Sequence, residues 1–442
     1  MIKGKNIFIL GMGLSGVAAS KLLCKDNHVL LTDIKEADLE LIRKLESLGI
    51  NVVITDKQSE ILTDKFDYVV KNPGINDNNE VIKKARSLNI PVVNEMEIGY
   101  RYLPKNVKIV GITGSNGKTT TSYLTYEILN MASLPVHIGG NMGVPLCLLI
   151  DKIKEKDILV LEISSHQLVN LDKFKTDISV FTNISEVHLD FFENYESYKK
   201  NKLKIFNHHT LNDKAILNGN DSDVVSLTKN IKSSKLYFSS ESKQDCYISS
   251  GKIFYADEEV CELSDIRLKG KHNYENVMCG IMVAKEFGIS NGVIKEALAK
   301  FCGVKHRMEF VRRLNDREFY NDSKSTNNKS TIVALSSFKS PVILILGGLD
   351  RGQRFDELDN YLTYVKGVVC YGETKDKIVS YFKSKEIDVT STLNLEEAVR
   401  LAYSLSLEGD TILFSPACAS LDQFESFEQR GELFKKIVDS LN

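Results

Sequence analysis

Short apolar runs alternate with amphipathic stretches along the whole chain. The segment "KNIFILGMGLSGVAASKLLC" predicts a strand, a glycine turn and a helix, and "HVLLTD" and "DYVVKNPGI" predict further strands. Apolar strands that alternate with helices are typical of parallel sheets covered by helices. The pattern therefore predicts an α/β fold.

The same alternation divides the chain into three units. The first closes near "IPVVNEMEIGYRYLP". The second starts at "VKIVGITGSNGKTT", continues through strands "DILVLEIS", "ISVFTNIS" and "KAILNGND", and ends with a β-rich patch and a helix after "GKHNYENVM". The third carries the strands "PVILILGG", "GVVCYG" and "DTILFSPA". Because 442 residues exceed what one core usually supports, we predict domains at residues 1–98, 99–302 and 303–442.

Composition and charge exclude several classes of protein. With 43% hydrophobic residues, 26% charged residues and a net charge of −2, the chain resembles a globular enzyme and lacks the basic excess of a nucleic-acid-binding protein. No apolar stretch approaches the roughly 18 residues that a membrane span needs, and the start "MIKGKNIFILGMG" does not resemble a signal peptide. The eight cysteines show no C-x-x-C pairing, which favours reduced thiols over zinc or disulfides. We expect a cytoplasmic monomer with no nucleic-acid partner and no membrane insertion.

A glycine turn follows the first predicted strand. Gly11, Gly13 and Gly16 fit G-x-G-x-x-G, and Asp33 ends the second strand. In a Rossmann-like domain such glycines admit a phosphate to the helix N-terminus, and the acid bonds a ribose. The pattern alone leaves two interpretations open, a nucleotide-type ligand or a simple tight turn.

A second glycine-rich segment, "GITGSNGKTTTS", departs from the phosphate-loop pattern G-x-x-x-x-G-K-[ST] by one residue. That pattern requires glycine at position 112, where the chain has Ile112 and places Gly111 one step early. The chemistry is nevertheless kept, because backbone N–H groups and a helix N-terminus face the phosphates, Lys118 supplies a cation and the Thr119 hydroxyl suits Mg²⁺. The segment predicts phosphate binding in a central P-loop ATPase-like domain.

With its displaced glycine, T-G-[ST]-N-G-K-T-T resembles the ATP loop of the Mur ligase family, the ATP-dependent amide-forming enzymes of peptidoglycan precursor synthesis. Further motifs of that family follow in order: "GGNMG" at 139–143, "LEISSHQL" at 161–168, "TNISEVHLD" at 182–190, "GKHNYENV" at 270–277, "HRMEFV" at 306–311 and "YNDSKSTN" at 320–327. The resemblance implies three domains, with Rossmann-like N-terminal and C-terminal domains around the central one, and a reaction through an acyl phosphate.

Two segments narrow the resemblance. "NPGI" at 72–75 and "FSPACASLDQFESFEQRG" at 414–431 are similar to members that add D-glutamate to UDP-N-acetylmuramoyl-L-alanine. The resemblance therefore implies these two substrates, with ATP and Mg²⁺ as cofactors. It places the UDP-substrate in the first domain, ATP and Mg²⁺ in the second, and D-glutamate in the third.

The resemblance also implies roles for individual residues. The catalytic residues would be Lys118, His188 and Lys202, and the metal ligands Thr119, Glu162, His188 and Lys202. ATP would contact Gly114, Ser115, Asn116, Gly117, Lys118, Thr119, Thr120, Asn273, Asn276, Arg307, Asp322 and Lys324. The UDP-substrate would contact Leu14, Ser15, Asp33, Lys35, Gly74, Asn141 and His188, and D-glutamate Thr326, Arg351, Ser420, Leu421 and Phe427.

Four of these residues have a plainer interpretation. His188, six residues past a predicted strand end, could be a loop histidine with satisfied hydrogen bonds. Glu162 ends a predicted strand and could be a solvated carboxylate instead of a Mg²⁺ ligand, and Arg351 could be an exposed loop arginine. Lys202 lies in "KKNKLKIF", where composition favours a solvated helix face. The resemblance aligns it with a lysine that CO₂ carbamylates into an anionic metal ligand, a reaction that needs a neutral, buried amine. The choice of Lys202 over Lys200 rests on register.

Four other functions share part of this pattern. A Mur ligase for a different amino acid would differ at "SPACASLDQF", and a folylpolyglutamate-type ligase would lack the first glycine-turn domain. An NAD-dependent oxidoreductase would leave Lys118 without a role. A P-loop switch protein would hydrolyse nucleotide slowly without an amino-acid substrate.

Overall fold

The computed structural model describes residues 1–34, 39–142, 144–186, 191–268 and 270–442. They divide into two compact units, Met1–Phe301 and Cys302–Asn442. The strands of these residues form three sheets, two in the first unit and one in the second.

The first sheet has the strand order expected of a Rossmann-like domain. Its strands are β1 Asn6–Leu10, β2 His28–Asp33, β3 Asn51–Ile54, β4 Tyr68–Lys71 and β5 Val92–Asn94, and the helices around it are α1 Leu14–Leu23, α2 Leu39–Glu46, α3 Gln58–Ile61, α4 Glu80–Ser87 and α5 Glu95–Tyr102. The order is β3-β2-β1-β4-β5, with every pair parallel. The strand order reverses between β1 and β4, and a crevice at the carboxyl ends of such strands is where α/β sheets bind ligands.

The second sheet carries the phosphate loop. Its strands are β6 Lys108–Thr113, β7 Val136–Gly140, β8 Ile158–Glu162, β9 Ile178–Phe181, β10 Lys214–Asn218, β11 Ser234–Ser239, β12 Cys246–Ser249, β13 Lys252–Tyr255 and β14 Glu258–Glu262. They run in the order β14-β13-β12-β11-β10-β9-β6-β8-β7. Strands β6 to β12 pair in parallel, and β13 and β14 add an antiparallel edge. Strand β6 therefore lies between β8 and β9, with all three carboxyl ends at one edge.

Helices cover both faces of the second sheet. They are α6 Lys118–Met131, α7 Leu146–Leu149, α8 Tyr195–Lys202, α9 Ser222–Leu227, α10 Lys271–Glu286 and α11 Asn291–Lys300, with 3-10 turns at Ile150–Lys152 and Leu203–Phe206. One core joins Leu124 and Ile128 of α6 to Met278 and Ile281 of α10, and all four side chains are fully buried. The phosphate loop is consequently fixed at the junction of a buried strand and a buried helix.

The second unit contains the third sheet. Its strands are β15 Glu309–Leu314, β16 Arg317–Asn321, β17 Val342–Gly347, β18 Val365–Tyr371, β19 Asp388–Ser391 and β20 Thr411–Phe414, and its helices α12 Asn328–Leu335, α13 Lys375–Lys383, α14 Leu395–Leu405 and α15 Phe427–Ser440, with a 3-10 helix Phe355–Tyr361. The order is β15-β16-β20-β17-β18-β19, with β15 alone antiparallel to its neighbour. The carboxyl ends of β16, β20 and β17 therefore adjoin.

Several helices begin at a polar side chain that the sequence supplies. Asn, Asp or Ser at the N-cap accepts a hydrogen bond from a first-turn N–H at Asn79, Asn94, Asn194, Asp221, Asn327, Asn394 and Ser426. Such caps satisfy backbone donors that the helix leaves without partners.

The structure confirms the predicted α/β class. The short strands β3, β5, β7, β15, β16 and β19 were not identified in the sequence, because each is bounded by polar residues and gives a weak apolar run. The predicted boundary between residues 98 and 99 falls inside α5, and the three domain ranges stay predictions. Among the described residues, none of the helices has the length and apolarity needed to cross a bilayer. All eight cysteines are free thiols.

The displaced glycine of the phosphate loop has a packing explanation. Gly111 lies within β6, two residues before the strand ends, and a Cβ added there would meet Thr176 Cγ2 at 2.6 Å and Ile163 Cδ1 at 3.0 Å. The glycine therefore belongs to the core beneath the loop, where a side chain would overpack the sheet face.

We predict that Gly111→Ala destabilises the protein by about 1–3 kcal/mol, because a methyl group has no room beside Thr176. Gly292→Ala in α11 is the matched control, since the nearest atom to its added Cβ is Ser290 Oγ at 3.9 Å and alanine favours a helix. Urea unfolding of both variants measures the difference. Equal stability of the two variants would contradict the packing explanation.

Candidate active site

The phosphate loop occupies residues 114–117, between β6 and α6. Gly114 has φ +148° and Gly117 has φ +80°, conformations that side chains with a Cβ rarely adopt. A Cβ at Gly117 would meet Asn276 Oδ1 at 2.2 Å, and a Cβ at Gly114 would meet Thr182 Oγ1 at 1.9 Å. Both glycines are therefore required by conformation and by close neighbours. The loop leads into the N-terminus of a 14-residue helix, which favours an anion.

The segment that follows β9 holds the loop in place. Asn183 O accepts from the Ser115 N–H at 2.9 Å, and Asn183 Oδ1 accepts from the Asn116 N–H at 2.9 Å. Thr182 Oγ1 donates to Asn116 O at 2.6 Å. Ser115 Oγ lies 2.9 Å from Tyr198 Oη of α8. These bonds fix the conformation of the loop before any ligand binds. Phosphate binding needs such preorganisation.

Two lysine ammonium groups converge on one carbonyl of the loop. Lys118 Nζ donates to Gly114 O at 2.8 Å, and Lys202 Nζ donates to the same oxygen at 2.9 Å. Lys202 is 1% exposed, and its pKa lies well below the ordinary value because burial removes water from the ammonium and Lys118 repels it, while Glu162 acts in the opposite direction. Burial and the Lys118 charge thus favour the neutral amine that carbamylation requires.

The lysines of α8 differ in burial. Lys200 is exposed, whereas Lys202 is buried against the loop. The interpretation of Lys202 as a solvated helix-face residue is therefore wrong: the last turn of α8 rotates this side chain inward, under the ring of Tyr198 at 5.2 Å. The catalytic role itself stays a prediction.

Glu162 ends β8 beside the loop, as predicted, and is 2% exposed, which excludes the solvated-carboxylate interpretation. Its Oε1 accepts from Asn141 Nδ2 at 2.7 Å, and its buried Oε2 has no hydrogen-bond partner within the described residues. A buried carboxylate oxygen left in this state fits a hard cation such as Mg²⁺. Among the described residues, no group of three or more His, Cys, Asp or Glu side chains could hold a metal, so a metal here would depend on ligands of other kinds.

A cavity of about 380 Å³ opens at the carboxyl ends of β1 and β4. The residues that line it include Leu14, Ser15, Gly74 and Asn141, all predicted to bind the UDP-substrate. Asn141 also bonds Glu162, so the cavity extends to the edge of the phosphate-loop site. Asp33 lies behind the glycine turn, where its Oδ2 accepts from the Met12 N–H at 2.6 Å.

Several residues of this cavity were not predicted from the sequence. Asn72 and Pro73 line it together with Ser164, His166 and Gln167. Ser164, His166 and Gln167 belong to "LEISSHQL", a segment that resembles the family but whose pattern does not by itself indicate a contact. Their position two to five residues beyond Glu162, at the end of β8, was the available signal.

The residues predicted to contact the adenosine part of ATP lie in both units. In the first unit, Asn276 Oδ1 accepts from Thr121 Oγ1 at 3.2 Å, and Asn273 stands one turn earlier on α10. In the second unit, Arg307 is exposed between His306 and Met308, which adopt left-handed backbone with φ +61° and +47°. Non-glycine residues in this conformation are found disproportionately at functional sites.

Asp322 follows β16 and is 1% exposed. Its Oδ2 accepts from Ser325 Oγ at 2.5 Å and from Ser415 Oγ at 2.6 Å, and burial raises its pKa to about 6 against these bonds. In this state the carboxylate orders its own loop, which carries Lys324 and Thr326.

The predicted D-glutamate residues lie beyond adjacent strands of the third sheet. Thr326 follows β16, Arg351 follows β17, and Ser420, Leu421 and Phe427 follow β20. Ser323 Oγ donates to Phe427 O at 2.8 Å, which joins the first and last of these segments. Arg351 and Leu421 are exposed and Ser420 is buried. The exposure of Arg351 leaves both its interpretations open.

Two predicted residues lie outside the described part of the chain. They are His188, predicted as a catalytic residue, a metal ligand and a substrate contact, and Lys35, predicted to contact the uridine.

A phosphate-loop sheet preceded and followed along the chain by Rossmann-like sheets defines a class of nucleotide-using enzymes. Two family models match, the Mur ligase middle domain over residues 112–284 and the glutamate ligase domain of Mur ligases over residues 306–418. UDP-N-acetylmuramoylalanine–D-glutamate ligase of Bacillus cereus (strain G9842) is 41% identical, over 99% of this chain and 98% of the relative, and the same enzyme of Bacillus anthracis (strain A0248) agrees equally well. The chain belongs to the Mur ligase family of ATP-using amide-forming ligases.

Solved structures show the same fold at lower identity. UDP-N-acetylmuramate–alanine ligase from Thermotoga maritima is 19% identical with a TM-score of 0.55, over 99% of both chains. MurF ligase from Thermotoga maritima, solved in complex with ADP, is 20% identical with a TM-score of 0.53, over 95% of this chain and 97% of the other.

Two of the three lysines of α8, Lys200 and Lys202, give a direct prediction. We expect Lys202→Ala to lose at least about 100-fold in turnover, because the site loses a buried group that contacts the phosphate loop. Formate or acetate should restore part of the activity if that group acts as an anionic oxygen ligand. Steady-state rates with and without added carboxylate measure both effects.

Lys200→Ala is the matched control and should stay within about twofold of the original rate, since exposed charges contribute little. A dead Lys200→Ala variant would show that the register is wrong. An active Lys202→Ala variant would show that no carbamate is needed.

Proposed function

We propose that this chain joins D-glutamate to UDP-N-acetylmuramoyl-L-alanine at the expense of ATP, in peptidoglycan precursor synthesis. The observation that carries the proposal is the bond between Asn141 and Glu162. It joins the cavity that contains Leu14, Ser15 and Gly74 to the carboxylate beside the phosphate loop. A UDP-sugar in the cavity would direct its distal carboxylate toward the γ-phosphate of ATP on the loop.

In the first step the substrate carboxylate attacks the γ-phosphorus of ATP, and the bond from that phosphorus to the β,γ-bridging oxygen breaks. The products are an acyl phosphate and ADP. The loop N–H groups and Lys118 bind the phosphates and stabilise charge on the transferred group. Glu162, Thr119 and carbamylated Lys202 would hold Mg²⁺, which when bound shields phosphate charge.

In the second step the amino group of D-glutamate attacks the acyl carbon. Phosphate leaves, and the amine gives up a proton as the amide forms. The residues beyond β16, β17 and β20 would bind D-glutamate, with Arg351 as the cation for its side-chain carboxylate. Exclusion of water matters at this stage, because an acyl phosphate hydrolyses readily.

The remaining parts of the proposal are a requirement for Mg²⁺, a monomeric state and a cytoplasmic location. Glu162 Oε2 supports the metal, since it is buried and has no hydrogen-bond partner among the described residues. Eight free thiols agree with a reducing compartment.

The deciding experiment measures phosphate release from ATP and Mg²⁺ with UDP-N-acetylmuramoyl-L-alanine and a panel of D- and L-amino acids. We expect release that requires both the UDP-substrate and D-glutamate. L-alanine and L-lysine are the controls and should give at most background. Release with a different amino acid would assign another member of the family, and release without any amino acid would contradict the ligase assignment.

A further inference from the structure

Lys71 is a buried cation at the carboxyl end of β4, and none of the steps above uses it. It is 1% exposed, and its Nζ donates to Ile75 O at 2.6 Å across the NPGI turn. The Nζ lies 3.6 Å from Asp77 Oδ1, while burial lowers the lysine pKa and Asp77 opposes that shift. Burying an ammonium costs free energy unless it is paired and hydrogen-bonded. We therefore asked which neighbouring groups the buried Lys71 side chain holds in position.

The third neighbour of this cation comes from the segment between β9 and α8, in the domain of the second sheet. Lys71 Nζ lies 5.8 Å from the ring centroid of Phe191, within the range of a cation–π interaction. Asn76, directly after the NPGI turn, donates from its Nδ2 to Phe191 O at 3.1 Å. Phe191 is therefore held to the NPGI turn by its ring and by its backbone, although 115 residues separate Asn76 from it.

Phe191 also contacts the lining of the UDP-substrate cavity. Its ring centroid lies 4.3 Å from that of His166 in an edge-to-face arrangement. His166 lines the cavity from the second sheet, and Asn72 and Gly74 of the NPGI turn line it from the first. Phe191 does not line the cavity itself, but it contacts His166 on one wall and the residues beside the NPGI turn on the other.

Asp77 is fixed by a second cation. It forms an ion pair with Arg86 of α4, in addition to its contact with Lys71. The residues on either side of the NPGI turn are therefore held by charge pairs within the first sheet's domain, and they contact Phe191 of the second.

From these contacts we infer that Phe191 is a positioning residue, which Lys71 holds in place so that the NPGI turn and His166 form one UDP-substrate cavity. The inference rests on the proposed function for the identity of the substrate. Phe191 and Lys71 contact the walls of the cavity, and neither residue takes part in phosphate transfer. Losing the ring should loosen the cavity and leave the phosphate loop intact.

The kinetic test replaces Phe191 by leucine and by tyrosine. Phe191→Leu should raise KM for the UDP-substrate about tenfold, while KM for ATP and kcat change less than about twofold. Phe191→Tyr keeps the ring and should stay near the original KM. An equal change in both KM values, or no change in either, would overturn the inference.

A double-mutant cycle tests whether Lys71 acts through Phe191. Lys71→Met and Phe191→Leu should each raise KM for the UDP-substrate, and the double variant should be little worse than either single one. Multiplicative effects would show that the two residues act independently. Lys83→Met, at an exposed lysine of α4, is the matched control and should leave KM unchanged.

A spectroscopic test needs no substrate and separates this inference from the proposed function. The chain has no tryptophan, so Phe191→Trp introduces a single tryptophan, which can be excited selectively at wavelengths that the 17 tyrosines do not absorb. Adding Lys71→Met should shift its emission to longer wavelength and raise its quenching by acrylamide about twofold, whereas adding Lys83→Met should do neither. Identical spectra in all three proteins would overturn the inference, even if the original enzyme turns over its substrates.

Should Lys71→Met fail to fold, Asn76→Ala provides the second perturbation, because it removes the bond to Phe191 O, together with the bond that Asn76 Oδ1 accepts from the Asn78 N–H. It should also raise quenching in the Phe191→Trp background. Unchanged quenching in that variant would contradict the inference as well. Failure of the original enzyme to release phosphate would count against the proposed function alone.

Discussion

The site depends on one constraint, which is that three parallel strands end at the same edge. Strand β6 delivers the phosphate loop, β8 delivers Glu162, and β9 delivers Thr182 and Asn183, which bond the loop backbone. Because β6 pairs with both β8 and β9, these groups cannot move apart without breaking the centre of the sheet. Gly111 has no side chain for the same reason, since the core beneath the loop is already filled by Thr176 and Ile163.

Bound ligands would supply further partners to the charged groups at this edge. Lys118 and Lys202 share one backbone carbonyl, and Glu162 Oε2 is buried with no hydrogen bond from the described residues. A second positive charge beside Lys118 is unfavourable, which favours a neutral Lys202, and a buried carboxylate oxygen is costly without a partner. Phosphate, a metal ion and a carbamate on Lys202 would relieve each of these costs. Binding would then stabilise a loop that is already ordered, which is how preorganised sites limit reorganisation during reaction.

The sequence predicted those parts of the molecule that depend on local pattern. The strand–glycine–helix units at Gly11 and Gly114 were recognisable because their turns need glycine and their strands are apolar. The burial of Lys202 was not recognisable from composition, because it follows from the rotation of α8 against the loop. Likewise His166 and Asn72 meet in one cavity only because two sheets adjoin, a long-range relation that no local pattern encodes. Asp322 was expected at a nucleotide, and its bonds to Ser325 and Ser415 depend on the pairing of β16 with β20.

The central claim is that the phosphate loop and the UDP-substrate cavity are separate binding sites joined at Glu162. Calorimetric titration of Lys118→Ala with UDP-N-acetylmuramoyl-L-alanine, alongside its turnover, tests this claim most directly. Turnover should be lost, because a cation that binds phosphate is removed from a preorganised site. The affinity for the UDP-substrate should stay within about threefold of the original, because Lys118 does not line the cavity. A large loss of UDP-substrate affinity would contradict the separation of the two sites.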